Sequence, residues 1–326
     1  MDNKAPTSII YSTVFGILVV GLSAHSFAVD CYDIIRSPTI LTENLQCELS
    51  DTNPYALTIA GPDGSLRMFG DGGITCTGDV DIGRFGIFVD GISRYVIGGT
   101  ISNCPGGILV GGLGFHSILN TEINDYLIDD AIKINSDYNL IQRNSITGNG
   151  TDGDDGIDSN GNGNTIIQNT IIDSGDEGIL VEGNSVTVTL NYIQGSNQAG
   201  IDFEGLNGTI TYNTLLENTL SGIEVDTSGA YVVQNISNEN IGAGIEIEGF
   251  NNIVRQNVAN NNNTVGILIS DQLPESSDNT IRENIALDNT TDLEGPFADV
   301  FCDNLVNDWG DNIADTSNPD CLRLLP

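Results

Sequence analysis

The chain has 326 residues, with 10 Lys and Arg against 45 Asp and Glu, which gives a net charge of −35. So large a negative charge repels nucleic acid and anionic membranes, and it excludes both as expected partners. Apolar residues make up 39% of the chain and recur in an ordered pattern, which excludes an intrinsically disordered protein. Divalent cations and cationic surfaces remain as the favoured partners.

The N-terminus has the features of a secretion signal. Lys4 supplies the positive charge, an apolar segment runs from Val14 to Leu22, and Ser26 and Ala28 are small residues at the positions that a signal peptidase requires. An uncleaved membrane anchor is the alternative, but the apolar segment is short for a span of about 20 residues. We predict cleavage after Ala28, a mature chain without membrane insertion, and a secreted, periplasmic or cell-surface location.

The six cysteines all follow the predicted cleavage site, an even number in a compartment that permits disulfides. They occur as one pair before the repeats, one pair early in the repeats and one pair near the C-terminus. A metal or redox site is the weaker interpretation, because the chain has no Cys-x-x-Cys motif. We predict sequential pairing, namely Cys31 with Cys47, Cys76 with Cys104, and Cys302 with Cys321.

A short phrase, Gly-Ile or Ala-Ile, recurs through most of the chain. Its Ile advances by 21, 24 and 25 residues and then by five successive steps of 22. The marker residues are Ile87, Ile108, Ile132, Ile157, Ile179, Ile201, Ile223, Ile245 and Ile267. A second marker, an Asn after an alternating segment, falls at Asn120, Asn144, Asn169, Asn191, Asn213, Asn235, Asn257 and Asn284. Two markers with one period indicate a repeat architecture.

Within each repeat the apolar residues alternate in short runs, as in Ile201, Phe203 and then Ile210. This is strand periodicity, interrupted by Gly and Asn, and no stretch after the leader has a helical stripe. A 22-residue unit of three short strands and three turns is typical of one rung of a parallel β-helix. Stacked rungs would bury a column of aliphatic side chains, and the corner Asn residues are predicted to form side-chain amide ladders.

The repeats resemble those of the right-handed parallel β-helix superfamily typified by pectate lyase. The segments "ILTENLQC" and "LTIAGPDGSLRMFGDGGITCTG" resemble the capped early rungs of secreted members, and "FCDNLVNDWGDNIADTSNPDC" resembles their C-terminal tails. The resemblance implies an all-β, single-stranded right-handed parallel β-helix with disulfide-bearing caps. Trp309 is expected to plug the C-terminal end, and stacking on a sugar is the alternative role. The expected regions are a signal peptide (1–28), an N-terminal cap with the first rungs (29–75), the β-helix repeats (76–291) and a C-terminal cap (292–326).

The first and third residues after each marker Ile are predicted to face solvent, because strand side chains alternate between faces. Between the markers at Ile201 and Ile245 these positions place six carboxylates on one sheet face, in two columns. The columns are Asp202, Glu224 and Glu246, and Glu204, Asp226 and Glu248. Bound cations, shifted pKa values, or water and salt would each offset their repulsion.

A second acidic set lies in the turn before the marker strand in three successive repeats. Oxygen ligands gathered from stacked turns suit Ca²⁺, which takes about six to eight of them. We predict a Ca²⁺ site in this region, and the alternative is a solvated acidic face in a protein from a saline habitat. The candidate ligands are Asp129, Asp130, Asp154, Asp155, Asp158 and Asp176.

Lys133 lies beside this acidic set. In pectate-lyase-like enzymes a cation binds the substrate carboxylate and a Lys or Arg removes the adjacent proton, so the resemblance implies Lys133 as the catalytic base. The alternative is a Lys that only balances its acidic neighbours. Arg255 and Arg282 are predicted to bind a sugar carboxylate, or else to form ordinary surface ion pairs. His116 has no accompanying nucleophile motif and is predicted to be a surface strand residue.

The sequence therefore predicts a secreted monomer that binds or processes an extracellular polysaccharide, such as a uronate polymer. A Ca²⁺-assisted lyase is the most concrete version of this activity. A noncatalytic structural, adhesive or cation-binding surface protein is the alternative. The uniform repeats from Ile179 to Ile267 favour it, because active sites usually interrupt a repeat array with longer loops.

Overall fold

A computed structural model describes residues 28–150, 153–270, 277–289, 300–302 and 307–314. The signal segment before Ala28, Cys321 and most of the expected C-terminal cap lie outside the described residues, and so does the predicted pairing of Cys302 with Cys321. The described part of the chain has no helix of the length and apolarity that a membrane crossing requires.

All regular structure in the described part of the chain consists of short strands. In chain order the strands are β1 (Ile34–Ile35), β2 (Pro38–Leu41), β3 (Asn44–Leu49), β4 (Tyr55–Ile59), β5 (Ser65–Met68), β6 (Gly73–Gly78), β7 (Phe85–Val89), β8 (Tyr95–Ile97), β9 (Thr100–Ser102), β10 (Gly106–Val110), β11 (Ser117–Leu119), β12 (Glu122–Asn124), β13 (Ile132–Ile134), β14 (Leu140–Gln142), β15 (Ser145–Thr147), β16 (Ile157–Ser159), β17 (Thr165–Ile167), β18 (Thr170–Ile172), β19 (Ile179–Val181), β20 (Thr187–Thr189), β21 (Tyr192–Gln194), β22 (Ile201–Phe203), β23 (Thr209–Thr211), β24 (Thr214–Leu216), β25 (Ile223–Asp226), β26 (Tyr231–Val233), β27 (Ile236–Asn238), β28 (Ile245–Glu248), β29 (Ile253–Arg255), β30 (Ile267–Ile269), β31 (Thr280–Arg282), β32 (Ile285–Ala286), β33 (Val300–Cys302), β34 (Asp308–Gly310) and β35 (Ile313–Ala314).

Successive strands contribute in rotation to three parallel sheets, so each set of three strands makes one rung. Sheet 1 has 12 strands in the order β1-β4-β7-β10-β13-β16-β19-β22-β25-β28-β30-β33. Sheet 2 has 12 strands in the order β2-β5-β8-β11-β14-β17-β20-β23-β26-β29-β31-β34. Sheet 3 has nine strands from β3 to β27, and the pair of β32 and β35 continues it through bridges at Val258. The predicted parallel β-helix is confirmed.

The marker isoleucines stack directly over one another along sheet 1. Ile179 pairs in register with Ile201, which pairs with Ile223, which pairs with Ile245. All four side chains are fully buried inside the tube. A rung alone cannot bury these side chains, so the apolar column between rungs supplies the main stabilisation.

A Gly precedes every marker Ile except Ile132, which follows Ala131, and neighbouring rungs approach closely at this position. A Cβ atom at Gly178 would lie 2.5 Å from the carbonyl oxygen of Gly200, and one at Gly200 would lie 2.7 Å from that of Gly222. Such distances are inside van der Waals contact with backbone atoms that the sheet holds in place. The Gly-Ile phrase therefore combines a position without space for a side chain with a position that fills the core.

The predicted asparagine ladder is present at the corner between sheets 2 and 3. Asn191 shows its pattern: its Nδ2 donates to Asn213 Oδ1 at 3.0 Å and to the Ile166 carbonyl at 3.0 Å, and its Oδ1 accepts from the Asn169 backbone N–H at 2.9 Å. The side chains joined by these amide hydrogen bonds are Asn144, Asn169, Asn191, Asn213, Asn235, Asn257, Asn284 and Asn312. Each rung thereby satisfies the buried polar groups of the corner below or above it.

Asn120, the first marker of the predicted Asn series, is not a ladder residue. It is exposed and adopts a left-handed backbone conformation with φ of 52°. Thr121 occupies the ladder position of that rung, where its backbone N–H donates to Asn144 Oδ1 at 3.0 Å. The early rungs have unequal lengths, and this irregularity moves the Asn one residue out of register.

Two of the three predicted disulfides are confirmed. Cys31 bonds to Cys47 and Cys76 bonds to Cys104. At the other end, Trp309 is buried and pairs in register with Ile281, so it continues the inward column of sheet 2 as expected for a plug residue.

Candidate functional site

The predicted acidic set lies in the turns that enter sheet 1. Ile132, Ile157 and Ile179 pair in register, so the turns that precede β13, β16 and β19 stack in the same way. The acidic pairs of these turns come from three rungs and meet at one edge of the sheet. They are Asp129 and Asp130, Asp154 and Asp155, and Asp176 and Glu177.

Lys133 lies at the centre of this acidic set. Its Nζ is 2.7 Å from Asp130 Oδ2, 3.0 Å from Asp158 Oδ2 and 3.8 Å from Asp129 Oδ1. Burial lowers the pKa of Lys133, but its hydrogen bonds to Asp130 and Asp158 and their charges outweigh burial, so the pKa is raised. Lys133 is therefore an ammonium ion whose side chain is 30% exposed.

Asp130 and Asp155 are almost inaccessible to solvent. Asp130 Oδ1 accepts from the Asp155 backbone N–H at 3.2 Å, and Asp155 Oδ1 accepts from the Glu177 backbone N–H at 3.0 Å. Burial raises the pKa of both carboxyl groups, and the charge of Lys133 opposes this shift at Asp130. The acids are thus fixed by the backbone of the next rung and have little room to move.

Asp158 belongs to this group although it lies on strand β16 and not in the turn. Only 6% of the residue is exposed, so the predicted solvent-facing position is wrong. Lys133 from the neighbouring rung and the entry turn cover it. Its Oδ2 accepts from Asn160 Nδ2 at 3.0 Å, while its buried Oδ1 has no hydrogen-bond partner.

Two trios of carboxylates have the spacing that a single cation requires. Ligand atoms of Asp130, Asp155 and Asp158 lie within 4.8 Å of one another, and so do those of Asp154, Asp155 and Asp176. An ion bound at about 2.4 Å holds ligands up to about 4.8 Å apart, which agrees with Ca²⁺ coordination. The unpartnered Asp158 Oδ1 is a buried acceptor that a cation would satisfy, so the first trio is a candidate cation site.

Asp129, the sixth predicted ligand, is in neither trio. It is 4% exposed, and its Oδ2 accepts from the Gly83 backbone N–H at 2.8 Å, which ties the turn to an earlier rung. Asp176, in the second trio, accepts a hydrogen bond from Gln198 Nε2. Asp154 is half-buried, and burial together with the nearby Asp176 charge raises its pKa.

The predicted substrate-binding arginines do lie side by side on sheet 2, where Arg255 pairs in register with Arg282. Each already has an acidic partner: Arg255 Nη2 is 2.5 Å from Glu283 Oε1, and Arg282 Nη2 is 2.6 Å from Asp308 Oδ1. Both arginines are on a different sheet from Lys133, so the three predicted basic residues do not form one site.

The predicted carboxylate columns follow the acidic trios along sheet 1. Glu224 lies between Asp202 and Glu246 in register, and Asp226 lies beside Glu248. Burial, followed by repulsion from Glu224 and Asp226, raises the pKa of Asp202 to about 8. Burial and repulsion from Glu246 likewise raise the pKa of Glu224 to about 7. Shifted pKa values are thus one of the three expected ways in which this face offsets its repulsion.

His116 is not the surface strand residue that the sequence predicts. It lies between β10 and β11, and only 1% of it is exposed. Its Nδ1 accepts from the Arg94 backbone N–H at 3.0 Å, and its Nε2 lies 2.9 Å from the Gly111 carbonyl oxygen. Burial lowers the pKa of His116, so it is a neutral structural residue that links two rungs.

An exposed aromatic pair was missed by the sequence reasoning. The rings of Phe115 and Tyr138 stack with centroids 5.2 Å apart and an interplanar angle of 19°. Phe115 is 53% exposed and Tyr138 is 57% exposed, and they leave sheet 1 at the same turn of adjacent rungs. The spacing from the marker Ile conceals this pair, because Phe115 lies seven residues after Ile108 whereas Tyr138 lies six residues after Ile132.

The family model described as "Right handed beta helix region" matches residues 130–286. No curated protein matches this sequence. Among solved structures, the Dettilon tailspike protein is similar with a TM-score of 0.63 at 16% identity, over 90% of this chain and 63% of that chain. The present chain therefore spans less than two thirds of that protein.

Two further solved structures with a similar fold are those of epimerases. The A-module of the Azotobacter vinelandii mannuronan C-5 epimerase AlgE4 has a TM-score of 0.63 at 12% identity, over 87% of this chain and 91% of that module. The periplasmic alginate epimerase AlgG has a TM-score of 0.58 at 13% identity, over 86% of this chain and 77% of that chain. At these identities the similarity is one of fold. The family model covers slightly less than half of the chain, and together with the stacked parallel sheets it supports the fold of a right-handed parallel β-helix.

Proposed function

We propose that this protein is exported and binds or processes an extracellular polysaccharide along sheet 1. The observation that carries the proposal is the arrangement around strand β13. The acidic trios lie at the edge where the chain enters sheet 1, and the Phe115–Tyr138 pair lies where it leaves. An extended sugar chain laid across sheet 1 would meet a cation site at one edge and an apolar stacking surface at the other.

The similar folds support a glycan as the partner. Two structural neighbours are alginate or mannuronan epimerases, and a third neighbour is a GH87 α-1,3-glucanase in complex with nigerose, with a TM-score of 0.52. The two disulfides support an oxidising, extracellular or periplasmic compartment. The net charge of −35 disfavours an unaided grip on an anionic polymer, so a uronate chain would need cations between it and the protein.

The most concrete activity is a Ca²⁺-assisted lyase acting on a uronate polymer. Ca²⁺, when bound by the acidic trios, would neutralise the sugar carboxylate and acidify the proton next to it. Lys133, which contacts Asp130 and Asp158, is the basic residue that would accept that proton. Because Lys133 is an ammonium ion in contact with Asp130 and Asp158, it acts as a base only after it has released its own proton. Arg255 and Arg282 would bind a second sugar carboxylate only by leaving their acidic partners.

A glycan panel tests the proposal. The mature chain is mixed with alginate, polygalacturonate and a neutral α-1,3-glucan, with and without Ca²⁺, and binding is measured alongside the ultraviolet absorbance of unsaturated products. We expect binding to at least one polymer, and a loss of about tenfold in Phe115→Ala and Tyr138→Ala. Tyr212→Ala is the matched control, because Tyr212 is 52% exposed on the turn between sheets 2 and 3. No binding to any polymer would refute the proposal.

A noncatalytic structural, adhesive or cation-binding protein is the second candidate. Its support is the uniform series of 22-residue rungs between Ile179 and Ile267, which no long loop interrupts. Such a protein would act as a monomer whose acidic face binds cations or a cationic surface. Retained glycan or Ca²⁺ binding without any product from the panel would favour this candidate over the lyase.

A further inference from the structure

The Asp130–Asp155–Asp158 trio contains an internal cation. Lys133 Nζ lies 2.7 Å from Asp130 Oδ2 and 3.0 Å from Asp158 Oδ2. These distances are only slightly longer than the Ca²⁺–oxygen distances of about 2.3–2.6 Å. The ammonium therefore stands close to the position that a cation shared by these oxygens would take. We propose that Lys133 and Ca²⁺ compete for this trio, so that Ca²⁺ binding releases Lys133 into solvent.

Charge supports an exchange in this direction. Lys133 supplies a single positive charge to the trio and forms ion pairs with two of its members, Asp130 and Asp158. A divalent ion would balance the site more completely and would also satisfy the buried Asp158 Oδ1, which has no hydrogen-bond partner. Asp130 and Asp155 accept hydrogen bonds from the backbone of the next rung, so the ligands are held in place whichever cation is present.

The side chain of Lys133 is able to leave. It is 30% exposed, whereas those of Asp130 and Asp158 are 1% and 8% exposed. A lysine stem with four rotatable carbons can carry its ammonium from the trio to water without moving the backbone of β13. The second trio lacks such an internal cation: among the described residues no ion pair joins Asp154 or Asp176 to a basic group, so Ca²⁺ binding there would leave Lys133 where it is.

The inference rests on the cation site of the proposed function and not on its glycan. Metal binding alone therefore tests the exchange, and a chain that binds no polysaccharide would not contradict it. Conversely, a chain that binds polysaccharide without displacing Lys133 would refute only the exchange.

The sequence offers a direct probe of this exchange. Lys4 and Lys133 are the only lysines, so a mature chain that begins after Ala28 has Lys133 as its single lysine. A succinimidyl ester acylates only free amines, and peptide mass spectrometry separates Lys133 from the N-terminal amine, which is the internal reference. We expect Ca²⁺ to accelerate acylation of Lys133 by about tenfold relative to that reference, at constant ionic strength. The response should saturate in parallel with Ca²⁺ binding measured by calorimetry.

Lys133→Met tests the same competition by another route. The variant keeps the apolar stem and loses the charge, so Ca²⁺ should bind to it at least about tenfold more tightly than to the wild type. Added Ca²⁺ should also raise the thermal unfolding midpoint of the variant by more than that of the wild type. Arg255→Met is the matched control, because it removes one positive charge from sheet 2 and should leave Ca²⁺ affinity unchanged.

Unchanged acylation in the presence of Ca²⁺ would overturn the proposal, whether the ion binds at Asp154, Asp155 and Asp176 or not at all. Equal affinity in a folded Lys133→Met variant would overturn it as well, and if that variant does not fold, the acylation result decides.

Discussion

Replacing one asparagine of the ladder is expected to destabilise the whole solenoid. In Asn191→Ala the side chain loses the hydrogen bonds that it donates to Asn213 Oδ1 and to the Ile166 carbonyl. It also loses those that it accepts from the Asn169 backbone N–H and from Asn169 Nδ2. Asn191 is 2% exposed, so water has little access to the groups left behind.

The magnitude follows from the two backbone groups that lose a partner in the buried corner. An unsatisfied buried donor or acceptor costs about 1–3 kcal/mol, so we expect the free energy of unfolding to fall by about 2–6 kcal/mol. Chemical denaturation of the mature chain, followed by far-ultraviolet circular dichroism, measures this quantity. The slope of the transition is expected to stay unchanged, because the variant still buries the same rungs.

Asn184→Ala is the matched control. Asn184 also stacks on its equivalent, with Nδ2 donating to Asn162 Oδ1 at 3.1 Å and Oδ1 accepting from the Leu206 backbone N–H at 2.9 Å. It is exposed, so water replaces these bonds, and the expected loss is below about 1 kcal/mol. Equal losses in the two variants would refute the reasoning that burial makes the Asn191 ladder essential.

Three further outcomes are expected. The pKa values of Asp202 and Glu224 are raised to about 8 and about 7 in the folded chain. The folded chain therefore holds protons that the unfolded chain releases above about pH 4. The free energy of unfolding should fall as the pH rises from about 5 to about 8. Asp202→Asn should reduce that fall in thermal melts; a wild-type midpoint that rises over this range would contradict the shifts. Replacing Cys76 and Cys104 with Ser opens a loop closed across 28 residues and should cost about 3–4 kcal/mol in denaturation experiments, whereas a loss near zero would show that the bond constrains nothing. Arg255→Ala should leave the thermal midpoint unchanged because its ion pair is exposed, and a clear drop would contradict this.

The fold was predictable because its signals repeat. Gly178 and Ile179 recur one rung later as Gly200 and Ile201, and each copy meets the same physical demand from its neighbours. A period that two residue types share independently therefore fixes the strand order and the inward face. The period alone did not give the disulfide pairing: Cys47 and Cys76 occupy matching positions of adjacent rungs, yet each bonds to a different cysteine. Sequential order predicted the two confirmed pairs.

The candidate site was predictable only in part. The entry-turn acids share a repeat position, so their clustering followed from the period, but the burial of Asp158 depends on Lys133 lying over it. The early rungs advance by 24 and 25 residues, and this irregularity concealed the ladder role of Thr121 and the stacking of Phe115 on Tyr138. Turn shape decides such contacts, and it leaves no periodic signal in the sequence.

The most direct test of a site built from successive rungs is a double-mutant cycle between Lys133 and Asp158. These residues are 25 positions apart in the chain and pair in register, with Nζ and Oδ2 separated by 3.0 Å. Lys133→Met, Asp158→Asn and the double variant are compared by chemical denaturation in Ca²⁺-free buffer. Residues in direct contact are expected to show a coupling energy of about 1–3 kcal/mol. Additive effects, within about 0.5 kcal/mol, would contradict the shared site.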